Sequence, residues 1–341
     1  MRLFSQLSRI TLFVIIFLSV LSLVQLEAND SAVETAAGGL QLRSEKRVSI
    51  LKERLYIGKE IIANVPSNIP ILENRYKIIV EYEFLNQSTQ DVITEVAFPI
   101  PEFKYPGESL IQDRNIGGFK VEIDGKVISY STEIRAIVDG QDVTALLQKV
   151  GIEIESFGRF NHHSSDPNHY QIRRLPKEMQ AHLKTAGILG GGYYPKWGVS
   201  ITHHWKQTFL PGKIVKVRHE YDAIPGFSFS DEIPKYLASL KKGCFDENLA
   251  HNMRIVQEQK SKQKDNVLIW ADWVKYILTT ANTWKMPIQN FELIVEAPKD
   301  HFVSFCWDSK LEKLYNNRFR ATVSDFTPTK ELLVYFFKVG E

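Results

Sequence analysis

The chain has 341 residues, long enough for one large domain or two ordinary ones. Its 44% apolar and 24% charged composition is that of a globular protein, and 42 basic against 40 acidic residues leave a formal net charge of +2. A surface so near neutral excludes the general electrostatic attraction that carries binding to nucleic acid or to anionic membranes.

Residues 1–28 have the form of a signal peptide. Arg2 and Arg9 supply the positive start, Ile10 to Val24 is an almost unbroken apolar run, and Leu26-Glu27-Ala28 resembles a cleavage site. The run is shorter than the roughly 20 residues a spanning helix needs. Export to the periplasm or beyond, with cleavage after Ala28, is expected, a retained anchor being the alternative. No second apolar run of membrane length follows, so no membrane span is expected after removal of the leader.

Beyond the small polar stretch from Asn29 to Leu40, Val48 to Tyr56 and Ile61 to Val65 read as short strands. Tyr76, Ile78, Val80, Tyr82 and Phe84 then alternate with polar residues, the period of a strand with one buried face. Asn86 to Asp91 is a polar turn, and Val92, Val96 and Phe98 resume the alternation up to Pro99 and Pro101. The spacing predicts an antiparallel hairpin at the centre of a sheet. Phe119, Val121 and Ile123 lead into Asp124-Gly125, a type I′ turn signal, with Val127 to Ile137 as the returning strand.

Helices are predicted from Asp142 to Gly151, from Pro176 to Gly187, and from the cap Asp246 through Leu249, Met253 and Val256. Val199 to Phe209 and Ile214 to Tyr221 read as strands around Pro211-Gly212. Five more follow: Val267 to Thr280, Phe291 to Val295, Phe302 to Trp307, Phe319 to Val323 and Leu332 to Phe337. This pattern is a mainly β protein, an antiparallel β-sandwich with α-helical insertions in the middle. The expected division is an N-terminal β module over 29–140, a helical insertion over 141–192 and a C-terminal β-rich module over 193–341 with one helix near 246–260.

Cys244 and Cys306 are the only cysteines, and in an oxidising compartment an even pair reads as a disulfide. His162, His163 and His169, with Asp166 between them, are the candidate metal ligands, although their spacing matches no zinc motif. His203 and His219 fall on the apolar faces of their strands and form a candidate buried polar pair, with Gln207 as a nearby partner. If those strands form a hairpin, a three-residue loop sets His203 opposite His219, and a five-residue loop sets Trp205 there. The six tryptophans read as sheet-core packing before a glycan platform. Gly190-Gly191-Gly192 lacks the Lys-Ser or Lys-Thr of a phosphate loop, and no Gly-x-Ser-x-Gly elbow occurs.

The blocks ANDSAVETAAGGL, YEFLNQSTQDVITEVAFPIP, WKQTFLPGKIVKVRHEY, ILTTANTWKMPIQNFELIV, FVSFCWD and DFTPTKELLVYFF occur in that order. Together they resemble an exported bacterial family, the domain of unknown function 4424, over nearly the whole mature chain. Ala281 stands where that pattern has glycine. The resemblance implies export and a shared fold, and no catalytic residue or cofactor. Tyr82 to Val127 also has a looser likeness to the vault and inter-α-trypsin type of β module, which does not fix function. The expected role is a non-catalytic envelope module that binds an envelope protein or a glycan. The alternative is an exported hydrolase or metal-dependent enzyme using the His162 loop.

Overall fold

The computed structural model describes residues 30–36, 39–61, 74–104, 118–160, 170–223, 225–240, 244–263 and 266–340. The leader and its cleavage point lie outside them, as do Ile62 to Val65 and the His162, His163, Asp166 and His169 loop.

Among the described residues the chain begins with β1 (Ser31–Ala36), β2 (Gly39–Leu42), β3 (Glu45–Ile61), β4 (Asn74–Asn86) and β5 (Val92–Lys104). Next come β6 (Lys120–Ile123), β7 (Lys126–Val127), β8 (Ser131–Val138), β9 (Gln141–Asp142), α1 (Thr144–Lys149) and α2 (Lys177–Thr185). The chain continues with β10 (Gly198–Phe209), β11 (Ile214–Asp222), β12 (Gly226–Ser230), α3 (Ile233–Ser239), α4 (Glu247–Ser261) and β13 (Leu268–Tyr276). It closes with β14 (Trp284–Lys285), β15 (Ile288–Glu296), β16 (His301–Phe305), β17 (Glu312–Lys313), β18 (Arg318–Phe326) and β19 (Leu332–Gly340).

The protein is mainly β, with sandwich-like packing of antiparallel sheets. A six-stranded sheet has the order β2-β1-β5-β10-β8-β9, and a four-stranded sheet has the order β12-β13-β19-β16. A nine-stranded sheet runs β17-β18-β15-β3-β4-β11-β6-β7, with β14 also on β3. Among the described strands, β3 pairs in parallel with β14 and β15.

Two expected hairpins are instead crossovers between sheets. β4 lies in the nine-stranded sheet and β5 in the six-stranded one, and the same holds for β11 and β10. The two corners lie side by side, because β4 pairs with β11 and β5 with β10. Asn86 joins them: its side-chain amide donates to the carbonyls of Gln90 and Phe209, and its own carbonyl accepts from the Gly212 amide. In a hairpin both apolar faces lie on one side of a sheet; at a corner they face each other across the core. Alternation alone fits both, so the loop-length argument for setting His203 or Trp205 opposite His219 has no hairpin to act on. The Asp124-Gly125 turn is a hairpin, with φ of 50° and 78° giving the left-handed backbone that type I′ requires. Its returning strand ends at Val127, and β8 starts afresh in the six-stranded sheet.

β3 spans 17 residues, and near its end Lys59 reaches Asp272 of the four-stranded sheet. One hydrophobic cluster runs from Ala32 through Phe98, Trp197 and Phe291 to Phe336, so strands from both ends of the chain build it. Ile233, Leu237 and Met253 of α3 and α4 pack on the far side of the four-stranded sheet against Phe337 and Val339. That sheet is therefore a middle layer. Asp246 caps α4 as predicted, its carboxylate accepting from the Leu249 amide at 2.6 Å.

Candidate functional site

A bulge sets which β3 side chains meet the core. The pairing of β3 with β4 slips between Ile50 and Lys52, so the inward positions change from Val48 and Ile50 to Glu53, Leu55, Ile57 and Lys59. Two charged groups are thereby turned inward, and Lys52 and Arg54 are turned out.

Under the six-stranded sheet, His219 bonds through Nε2 to Asp30 Oδ1 at 2.7 Å, and neither side chain is exposed. Burial pushes the Asp30 carboxyl above its usual range, against the pull of His219. The Trp284 indole N–H donates to the Asp30 carbonyl at 2.7 Å, which locks the start of β1 into the core. His203 lies across the core on β10, its Nδ1 sharing a 2.9 Å hydrogen bond with Thr132 Oγ1. Burial pushes its imidazole down to about 4, with the charges of His219 and His204 adding to the effect. Phe119 separates the two histidines, its ring 4.2 Å from His203 and 5.4 Å from His219. Gln207 takes no part, its amide donating to the neighbouring Thr208 carbonyl. Beside this group the Tyr82 and Tyr276 hydroxyls meet at 3.1 Å; burial, with Glu53 nearby, holds both phenols well above their usual range.

Under the four-stranded sheet, Lys59 reaches Asp272 Oδ2 at 2.6 Å, with the lysine side chain 2% exposed. Burial pulls the Lys59 amine below its usual range, against the Asp272 charge. Cys244 and Cys306 are bonded, with S–S 1.99 Å and Cα–Cα 5.0 Å, joining the segment before α4 to the end of β16. Trp197, Trp205 and Trp284 are core residues. Among the described residues no group of three or more His, Cys, Asp or Glu is placed to hold a metal, and no helix is long and apolar enough to cross a membrane.

The outer face of the nine-stranded sheet is different in kind. A line of alternating charge crosses it from β18 to β6: Arg320–Glu292 at 2.7 Å, Glu292–Arg54 at 2.9 Å, Arg54–Glu81 at 3.3 Å, Glu81–Arg218 at 3.8 Å and Arg218–Glu122 at 3.9 Å. Register explains it, since Glu292 sits opposite Arg54, Arg54 opposite Glu81, and Arg218 opposite both Glu81 and Glu122. A groove of about 300 Å³, open to solvent, lies along this line between Lys52, Glu83, Glu122, Lys216 and Arg218. Sequence reading places Glu81, Glu83, Lys216 and Arg218 outward by their period of two. It misses their partners, which come from strands far apart in the chain.

The sequence matches the family model described as a domain of unknown function (DUF4424) over residues 28–335. A comparison with curated proteins finds no match. Among solved structures the chain is similar to a candidate nutrient-binding protein of Legionella pneumophila, at 14% identity over 91% of this chain and 70% of that one, with a TM-score of 0.41. It is also similar to an M1 zinc metallopeptidase of Deinococcus radiodurans, at 7% identity over 86% of this chain and 43% of that one, with a TM-score of 0.31. This chain thus spans less than half the length of the peptidase. Neither likeness carries an argument about function.

Proposed function

The chain belongs to the DUF4424 family, and from that premise we propose that it is an exported, non-catalytic binding module of the cell envelope. It engages an envelope protein through the charged outer face of the nine-stranded sheet. The observation that carries this reading is where the chemistry sits. Asp30, His219, His203 and Lys59 are sealed between sheets, away from any substrate, whereas Arg54, Glu81 and Arg218 line open grooves. A face of alternating charge suits a partner that presents the complementary order, with specificity set by register more than by net charge. The leader pattern and the bonded cysteine pair support an oxidising, extracytoplasmic setting.

The test is crosslinking and pull-down from intact envelopes with the wild type and an Arg54→Glu/Arg218→Glu variant, each first shown to unfold at a similar urea midpoint. Loss of a specific crosslinked protein in the variant is expected. The same partner recovered in equal yield overturns the assignment of this face.

A further inference from the structure

Lys59 and Tyr76 are direct cross-strand neighbours on β3 and β4. Both reach inward to one atom of β13, Asp272 Oδ2: Lys59 Nζ at 2.6 Å, and the Tyr76 hydroxyl through a short hydrogen bond. The Tyr76 ring centre lies 5.6 Å from the same Nζ. His301 shares that face of the four-stranded sheet, because it pairs with Lys338, which pairs with Trp270 two residues before Asp272. Its Nδ1 bonds to Asp300 Oδ1 at 2.9 Å, and its buried Nε2 has no hydrogen-bond partner among the described residues.

This is an uneasy place for a permanent ion pair. An ammonium has three N–H donors, and Asp272 Oδ2 is the acceptor found for it among the described residues. Two charges held between apolar layers lose their hydration, which their attraction repays only when the remaining donors and acceptors are also satisfied. Condensation of the pair to an amide removes both charges at once.

We propose that Lys59 and Asp272 condense spontaneously into an intramolecular isopeptide bond between β3 and β13. The neutral amine of Lys59 attacks Asp272 Cγ, the Nζ–Cγ bond forms and the Cγ–Oδ2 bond breaks. Oδ2 leaves as water, carrying the proton of the carboxylic acid and one proton of the amine, so that no oxidant or co-reactant is needed. Tyr76 donates to Oδ2, the oxygen that departs, and withdraws charge from it. Burial lowers the Lys59 amine toward its nucleophilic neutral form, and its contact with Asp272 Oδ2 gives the proton it sheds a direct path to the departing oxygen. Fixing amine and carboxyl in contact makes the step unimolecular, which replaces the activation that amide formation needs in dilute solution. The link spans 213 residues of sequence and fastens the nine-stranded sheet to the four-stranded one. Reductants that open Cys244–Cys306 leave it intact.

Intact-mass spectrometry of the denatured full chain, incubated folded to constant mass, tests this. The expected mass is short by one water beyond the two hydrogens lost to the disulfide, and a protease digest contains a branched peptide joining the Lys59 and Asp272 segments. Lys59→Arg keeps the charge and restores the full mass, and Tyr76→Phe slows the approach to constant mass. If Lys59→Arg fails to fold, the wild-type digest still decides. A wild-type chain of full mass, with Lys59 and Asp272 only in linear peptides, overturns the proposal.

Discussion

The two ends of one sheet face bury a carboxylate each, and they solve the problem differently. Beneath the six-stranded sheet Asp30 is paired with His219, and beneath the four-stranded sheet Asp272 is paired with Lys59. An imidazole nitrogen can donate or accept, so the first end can keep its hydrogen bond with or without charges as one proton moves between the partners. A lysine in water holds its proton to about pH 10 and burial pulls Lys59 below that, so the second end sheds its charges by a costlier proton shift or by condensation. Burial depth is similar at the two ends. The consequence of removing one partner is not.

Asp272→Ala leaves an ammonium with no counter-charge in a dry layer, and the expected loss is about 3–5 kcal/mol of unfolding free energy. The loss is larger where the crosslink has formed. Asp30→Ala leaves an imidazole that can stay neutral with one hydrogen bond missing, for about 1–3 kcal/mol. Urea titration of both variants measures the difference; equal losses would show that the histidine is held charged and end the contrast. Replacing Lys59 and Asp272 together by Met and Leu sharpens it further. That double change is close to neutral for a bare ion pair, but clearly destabilising if a covalent bond is lost.

The disulfide belongs to the four-stranded end alone. Cys244 and Cys306 close a loop across a sequence separation of 62, for which the chain-entropy relation gives about 4 kcal/mol. A Cys244→Ser/Cys306→Ser chain should lower the urea midpoint accordingly. Amide exchange should rise first in α4 and β16 and last around Asp30, because the lost bond ties only the second end. Uniform acceleration across both ends would show that they unfold as one unit.

Acid probes both ends at once, since His203 stands at one and His301 at the other, each pushed by burial to about 4 from about 6.5 when unfolded. Between those values the unfolded chain binds protons that the folded chain refuses. Stability is therefore full above pH 6.5 and falls toward pH 4, by roughly 3 kcal/mol for each histidine. Asp30 acts in the opposite sense, because its raised folded value favours the native state as it protonates. The expected net result is a urea midpoint that drops from pH 7 to pH 4.5. His203→Phe, which can still stack on Phe119, should remove about half of that drop; an unchanged pH profile in this variant would place its origin elsewhere.

Much of this architecture was legible in residue spacing. The period of two in Tyr76 to Phe84 marks the inward face correctly, Asp124-Gly125 marks its hairpin, and Asp246 marks its helix. What spacing cannot carry is the choice between a hairpin and a corner, since Asn86 to Asp91 reverses the chain in either case. Lys59 and Glu53 escaped notice because their inward orientation depends on a bulge near Leu51, and a one-residue slip leaves no mark in composition. Asp30 escaped because the small polar stretch from Asn29 to Leu40 gives no sign in its spacing that one carboxylate is buried. The charged line on the outer face is a property of register among six strands, and register is a tertiary fact.

The smallest expected effect concerns that line, and it separates stabilising ion pairs from a binding surface. Arg54 and Arg218 have side chains 39% and 30% exposed, so water and salt screen their pairs, and exposed pairs of this kind contribute about 0.2–1 kcal/mol each. Arg54→Ala, Glu81→Ala and the double variant should give a coupling energy within that range, shrinking as salt is raised. By contrast, Arg54 lies between Glu292 and Glu81, so its removal leaves two carboxylates facing each other and disturbs the charge order along the whole groove. Partner capture from envelopes should then fall well out of proportion to the stability change. A large coupling energy with undiminished capture would assign the line to folding, and the binding surface would have to be sought elsewhere on the molecule.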